Sequence, residues 1–305
     1  MSVVLEHVRA TGLLGGPVVV LLSGGRDSVC LLDVAVTICG ADRVRALHVD
    51  YGLRVESGAD ADSCAALCRV LDVALEVQRP PRPESGNLQA WARDVRYGAG
   101  MRLAAAAGAD LAAGHTATDQ AETVLYRLAS SPGRRALLGM SPRSGRLVRP
   151  LLGVTREETA AHCRARGLSW VEDASNATGE FARGRVRHGL LPALEAVDPR
   201  ALANVLRTAE LLRDEAEVLD VVVDTALRGR SEIAQEHLAA LPRALARLVL
   251  RRLAENAVGG PCGRVAARLD EVLALEGALD VGDGARVVVS DGVVRVEPTP
   301  PLAAR

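Results

Sequence analysis

From residue 17 to about residue 129, short apolar runs alternate with stretches of helical period. PVVVLL at 17–22 is apolar at every position and too short for a helix, so it predicts a strand buried on both faces. A Gly-rich turn, SGGRDS at 23–28, follows it and leads into a helix over 29–39. VRALHVD at 44–50 and VALEVQ at 73–78 predict the next strands, with a helix over 57–71 between them that opens on Ser and acidic residues. After the Pro-rich break at 79–86 come a long helix over 87–107, a fourth strand at 110–115 and a helix over 118–129. Strict alternation of this kind predicts an α/β fold with a doubly wound parallel sheet. In such sheets ligands bind outside the carboxyl ends of the strands. SGGRDS, HVDYGLR and GHTATDQAET all begin at or near such ends, so three motifs converge on one rim.

The pattern changes beyond residue 130. Residues 130–153 predict a basic, acid-free loop holding Arg134, Arg135, Arg143, Arg146 and Arg149. A helix over 155–167 is bounded by a Thr155/Glu158 capping box and by Gly167. A long helix is expected over roughly 200–228, then two shorter helix patterns. A hairpin closes the region, marked by Asp291-Gly292 between alternating valines. The expected organisation is a catalytic domain over 1–205, a helical linker over 206–230 and a small, mostly helical C-terminal domain over 231–305.

Composition narrows the chemistry. The 305 residues are 49% hydrophobic and 25% charged, enough for a full core. Aromatics make up only 2%, which argues against serial base stacking. All 37 basic residues are arginine. Without lysine there can be no Walker A loop, protein kinase strand lysine or pyridoxal Schiff base. The net charge of -1 excludes a generally basic coat for nucleic acid. Over 134–200, however, twelve arginines face seven acids, a local +5 that suits phosphate contacts. The six cysteines form no C-x-x-C pair and no signal peptide is visible, so reduced thiols in a cytoplasmic protein are expected. No apolar run is long enough to span a membrane.

The six-residue string Ser23, Gly24, Gly25, Arg26, Asp27 and Ser28 lies between a strand and a helix. Backbone N–H groups of such a loop form an anion site, and the hydroxyls add donors. Asp27 would repel a phosphate directly, so its natural task is to hold a Mg2+ that bridges phosphates. This loop resembles the PP-loop of the N-type ATP pyrophosphatases, which implies cleavage of ATP between its α- and β-phosphates.

Further motifs follow in order: HVDYGLR at 48–54, AWARDVRY at 90–97, GHTATDQAET at 114–123, RPLLGVTREE at 149–158, WVEDASN at 170–176 and ARGRVRHGLLPAL at 182–194. Together they resemble the tRNA(Ile)-lysidine synthetase family over residues 17–200, and the tail resembles its C-terminal region only weakly. There are departures. Tyr51 stands where the family has His, Gln89 where it has Glu, Thr116 and Thr118 where it has His and Asp, and Gly184 where it has Asn.

The resemblance implies two steps. The C2 oxygen of the wobble cytidine in a CAU-anticodon tRNA(Ile) attacks the α-phosphate of ATP. The ε-amine of free L-lysine then displaces AMP. The first step needs phosphate charge neutralised by Mg2+ and N–H groups. The second needs a neutral amine, although free lysine has a pKa near 10.4, so a carboxylate must bind the ammonium and help remove its proton. Asp119 and Glu122, three apart on one helix face, suit that task, the alternative being an ordinary acidic helix start. Arg93 or Arg96 suits the lysine α-carboxylate, the family position favouring Arg93, or else both are solvated surface residues. His115 is left between a catalytic and a structural role. Arg183, Arg185 and Arg187 are the expected tRNA contacts, and the C-terminal domain a further tRNA-binding part. A homodimer is left open. Two other readings share the loop: a PP-loop tRNA thiolase, and a degenerate ATP-binding protein without catalysis.

Overall fold

Val18–Leu21 forms β1, and all four of its side chains are buried because helices cover both faces of the sheet it belongs to. The computed structural model describes residues 2–52, 57–131, 133–171 and 182–300, and the side chains of Ser57 and Arg183 lie outside the described part. β1 pairs in parallel with β2 (Val44–Val49) on one side and β4 (Asp110–Ala112) on the other. β3 (Ala74–Gln78) lies beyond β2, and β6 (Leu147–Val148) beyond β4, both parallel. β5 (Arg143–Ser144) closes the edge antiparallel to β6, giving the order β3-β2-β1-β4-β6-β5. The doubly wound sheet expected from the alternation is present. Its strand order reverses between β1 and β4, which opens a crevice at their carboxyl ends.

Alternate side chains of β1 feed two cores. Val18 and Val20 pack with buried residues of α1 (Val3–Thr11), α2 (Arg26–Cys39), α3 (Ser57–Val70) and α7 (Arg156–Ala165). Val19 and Leu21 face α4 (Leu88–Ala106) through Ala99 and Ala104. α1 was not expected from the sequence; it buries only Val4 and Val8, one turn apart, a short signal beside a polar face. α5 (Ala117–Ser130) packs on the short α6 (Arg134–Leu137). α5 also contacts α8 (Ala182–Arg185), which continues through a π-helical turn over Val186–Leu190 into α9 (Leu191–Val197).

The stretch expected as a loop over 130–153 thus carries α6, β5 and β6. These pieces are of two to four residues, too short to show a period. Three of its arginines are spent on the fold: Arg143 pairs with Asp110, Arg146 donates to the carbonyl of Ala109, and Arg149 to that of Ser141.

Contacts divide the chain into Met1–Leu212 and Arg213–Arg305. The division falls within α10 (Ala201–Leu227), inside the span read as a linker. The second unit contains β7 (Glu232–Ala234), α11 (Gln235–Ala240), α12 (Arg243–Val258), α13 (Leu269–Leu273), β8 (Gly277–Gly282), β9 (Ala285–Ser290) and β10 (Val293–Pro298). Its sheet, ordered β7-β10-β9-β8, is antiparallel. Asp291 and Gly292, with φ of 53° and 70°, make the expected hairpin turn between β9 and β10. Asp283 and Gly284 repeat the device between β8 and β9.

Candidate active site

The crevice at the carboxyl ends of β1 and β4 is a cleft of about 760 Å³. Its lining includes Ser23, Gly25, Arg26, Asp27 and Ser28 after β1, Gly114, His115 and Asp119 after β4, and Arg156 and Glu157 from α7. Tyr51, Arg96, Tyr97, Trp170, Val171, Arg187 and His188 complete much of its wall.

The loop after β1 is internally braced. Ser28 Oγ donates to the Gly25 carbonyl at 2.8 Å, lies 3.1 Å from Ser23 Oγ and accepts from the Ser23 N–H at 3.1 Å. Gly24 has φ +84°, and its carbonyl accepts the Val171 N–H at 2.9 Å. The loop runs into the N-terminus of α2, where unpaired N–H groups favour an anion. Gly114 sits against that terminus. A Cβ there would lie 3.0 Å from the Asp27 carbonyl oxygen and 3.2 Å from the Ser28 nitrogen. Only a glycine lets the loop after β4 approach the phosphate loop this closely.

Asp27 Oδ1 accepts from Thr159 Oγ1 at 2.6 Å and from Arg26 Nε at 3.1 Å. Among the described residues Oδ2 has only the 3.8 Å approach of Arg156 Nε. Mg2+ takes one or two protein carboxylates and completes its octahedron with phosphate oxygens and water. The described residues contain no group of three or more metal-ligating side chains. A single carboxylate on a phosphate loop, with one oxygen held and the other open, fits that smaller demand.

Asp119 and Glu122 stand on one face of α5, and each already has cationic partners. Asp119 Oδ1 accepts from Arg156 Nη2 at 2.7 Å, and Oδ2 accepts the Thr116 N–H at 2.9 Å. Burial pushes the Asp119 carboxyl up, but Arg156 and the Thr116 N–H outweigh it and hold it below the usual carboxylate range. Thr116 caps α5 reciprocally with Asp119, so the threonine that departs from the family pattern closes a capping box. Glu122, only 3% exposed, accepts from Arg187 Nε at 2.6 Å and Nη2 at 2.9 Å. Arg156 Nη1 lies 3.7 Å from the same carboxylate. Arg156 therefore faces Asp27, Asp119 and Glu122 together. Sequence reasoning missed it, because in TREE it reads as an ordinary first-turn residue.

His115 lies beyond Asp119. Its Nδ1 is buried without a partner, and its Nε2 is 3.5 Å from Tyr97 Oη. Burial, reinforced by Arg149, Arg96 and Arg93 against the pull of Asp119, drives its pKa down to about 4. Its imidazole is neutral at pH 7. Of the two arginines considered for the lysine carboxylate, Arg96 lines the cleft with a buried, unpartnered Nε. Arg93 is exposed and stacks on the Tyr97 ring at 4.7 Å, outside the lining. Tyr51 donates to the Ala92 carbonyl at 2.9 Å and packs edge-on against Trp91, so the aromatic at the position of the family histidine is part of the wall. Gln89 is exposed in the first turn of α4.

Arg187 reaches the cleft, where its partner is a carboxylate, while Arg185 is exposed on α8. Gly184 lies within α8; the Arg183 side chain, Leu53, Arg54 and residues 172–176 of the expected motifs lie outside the described part. All six cysteines are free and buried. None lines the cleft, and burial pushes the thiols of Cys64 and Cys68 up to about 12 and about 11, which keeps them protonated.

Residues 12–194 match the family model of a PP-loop domain. Among solved structures, a U34-tRNA thiolase from Methanococcus maripaludis superposes with a TM-score of 0.58 at 18% identity, covering 69% of this chain and 78% of that one, a likeness of fold. Three curated relatives named tRNA(Ile)-lysidine synthase are each 38% identical. The Symbiobacterium thermophilum protein matches over 96% of this chain and 68% of its own length. The Thermobifida fusca protein matches over 86% and 83%, and the Nocardia farcinica protein over 88% and 86%. With a phosphate loop, a neutral histidine and Asp119 gathered at one sheet crevice, and with relatives that align along nearly its whole length, the chain belongs to the tRNA(Ile)-lysidine synthase family.

Proposed function

We propose that this chain carries out its family's reaction, an ATP-dependent ligation that forms lysidine on tRNA(Ile). The finer reading is the two-step route: adenylation at C2 of the wobble cytidine of a CAU anticodon, then attack by the ε-amine of free L-lysine. The observation that carries it is the meeting of the phosphate loop, His115 and Asp119 in one cleft, with Glu122 buried one turn further along α5 and joined to it through Arg156 and Arg187.

In this reading the N–H groups at the start of α2, with Ser23 and Ser28, bind the triphosphate. Asp27 is the residue that would hold Mg2+, which when bound supplies neutralisation of phosphate charge. Arg26 and Arg156 add positive charge on the same side of the cleft. Asp119 and Glu122 receive the lysine ammonium, and to do so they must exchange a guanidinium for it. Ionised Asp119 is suited to bind an ammonium, and His115 beside it, held neutral, adds no positive charge to oppose that cation. Arg96 suits the lysine α-carboxylate better than Arg93, since it reaches the cleft and has hydrogen-bonding capacity to spare. Arg183, Arg185 and the C-terminal unit are the proposed tRNA contacts. Work on tRNA implies the cytoplasm, and among the described residues no helix is long and apolar enough to cross a membrane. A homodimer is a further expectation, checked by light scattering.

The test is incubation with CAU-anticodon tRNA(Ile), ATP, Mg2+ and labelled lysine, followed by nucleoside mass analysis. Label on a cytidine supports the proposal. Pyrophosphate release without label refutes lysine transfer, sulfur incorporation would favour a thiolase, and ATP binding without turnover a sensor.

A further inference from the structure

α7 lies along α2 and grips it at two places. Near the middle of α2, fully buried Asp33 is held by His162 Nε2 at 2.8 Å and by Arg166 Nη2 at 3.0 Å. At its start, Thr159 reaches Asp27. Thr159 and His162 of α7 and Arg166 at its C-cap follow one helical face, so the Asp33 clamp sets the register in which Thr159 meets the phosphate loop. Thr159 is completely buried. Its hydroxyl has a single proton and two acceptors in reach, Asp27 Oδ1 at 2.6 Å and the Arg156 carbonyl at 2.9 Å. The shorter contact is to the charged oxygen and is the stronger one. The hydroxyl oxygen in turn accepts from Arg26 Nε at 3.1 Å.

We infer that Thr159 is a positioning residue for the nucleotide step: its hydroxyl pins Oδ1 of Asp27 and thereby presents Oδ2 to the cation and triphosphate. The inference rests on the ATP-using reading above. A free Asp27 carboxylate would rotate about χ2 or turn wholly toward Arg26 and Arg156, and either motion removes the open oxygen from the cleft. The hydroxyl is worth a charge-assisted hydrogen bond, so its loss should cost roughly ten- to a hundredfold.

Three variants separate hydroxyl from methyl: Thr159→Val keeps the shape, Thr159→Ser keeps the hydroxyl, and Thr159→Ala lacks both. ATP–pyrophosphate exchange in the presence of tRNA should fall at least about tenfold in Thr159→Val and Thr159→Ala and stay within about threefold of wild type in Thr159→Ser. Calorimetric binding of ATP supplies a readout apart from turnover. With Mg2+, Thr159→Val should weaken binding about tenfold, and without Mg2+ it should leave binding unchanged. Equal losses with and without Mg2+, or a Thr159→Ser variant as impaired as Thr159→Ala, would overturn the inference, since the residue would then be packing alone. Wild-type exchange undiminished in all three variants would overturn it as well. Absence of exchange in the wild type itself would instead defeat the ATP-using reading, and this inference with it.

Discussion

Arg187 holds Glu122 through two parallel hydrogen bonds, from Nε to Oε1 at 2.6 Å and from Nη2 to Oε2 at 2.9 Å. The two residues lie 65 positions apart, one on α5 and the other on the π-helical turn. Glu122 is almost fully buried, so its charge depends on this fork. Arg187→Ala should destabilise the protein by about 3–5 kcal/mol, because a buried carboxylate loses its main partner. In Arg187→Ala/Glu122→Gln the two costs should fall well short of additive in urea unfolding. Additive costs would mean that the fork contributes nothing to stability.

The lysine step has its own signature. Glu122→Gln and Asp119→Asn keep shape but cannot pair with an ammonium or take its proton. Each should slow lysine transfer by roughly ten- to a hundredfold and disturb adenylation less. Single-turnover reactions with labelled ATP and labelled lysine, followed separately, should show adenylated tRNA accumulating. Equal loss of both steps would assign the pair to the fold or to phosphate chemistry.

Salt dependence distinguishes the arginines of the RGRVR string. Arg185 is exposed, and its removal should flatten the slope of log K for tRNA against log salt by about one unit. ATP binding should be unaffected. Superimposable salt curves for Arg185→Ala and wild type would make it a surface residue only.

His115 predicts a pH effect on stability. Its pKa in the fold, about 4, lies below the ordinary 6.5, so the unfolded chain binds the proton more readily. The neutral histidine thus contributes stability that is present above about pH 6.5 and lost as pH falls through about 4, on the order of 3 kcal/mol in all. His115→Asn should lose less stability than wild type across that window in urea titrations. Parallel curves for the two proteins would contradict the low pKa.

Gly114→Ala tests the close approach of the two loops. The added Cβ would meet backbone at 3.0–3.2 Å, and backbone at a helix terminus yields poorly. ATP affinity should fall several-fold while the far-UV spectrum is kept. An alanine variant with wild-type ATP binding would show that the loops separate freely.

Much of the first unit was legible because its signals are local. Burial on both faces leaves an unbroken apolar run, as at Val18–Leu21, and a helix start leaves a reciprocal Thr/Glu pair, as at Thr155 and Glu158. The phosphate loop was readable for the same reason, since strand, glycines and helix are contiguous. The hairpin at Asp291-Gly292 needed two residues only.

By itself, then, the amino-acid order determined the parallel sheet, the phosphate loop at its rim and the family motifs. The tertiary structure decided how the charges were paired. Arg156 turned to three carboxylates, Arg187 turned inward to Glu122, Thr159 came to Asp27 from 132 residues away, and the basic stretch at 143–149 was consumed by the fold. An arginine in a sequence looks the same whether it meets solvent, phosphate or a buried carboxylate. Which of these it meets depends on strand order and helix register, and these are set by packing between segments far apart in the chain.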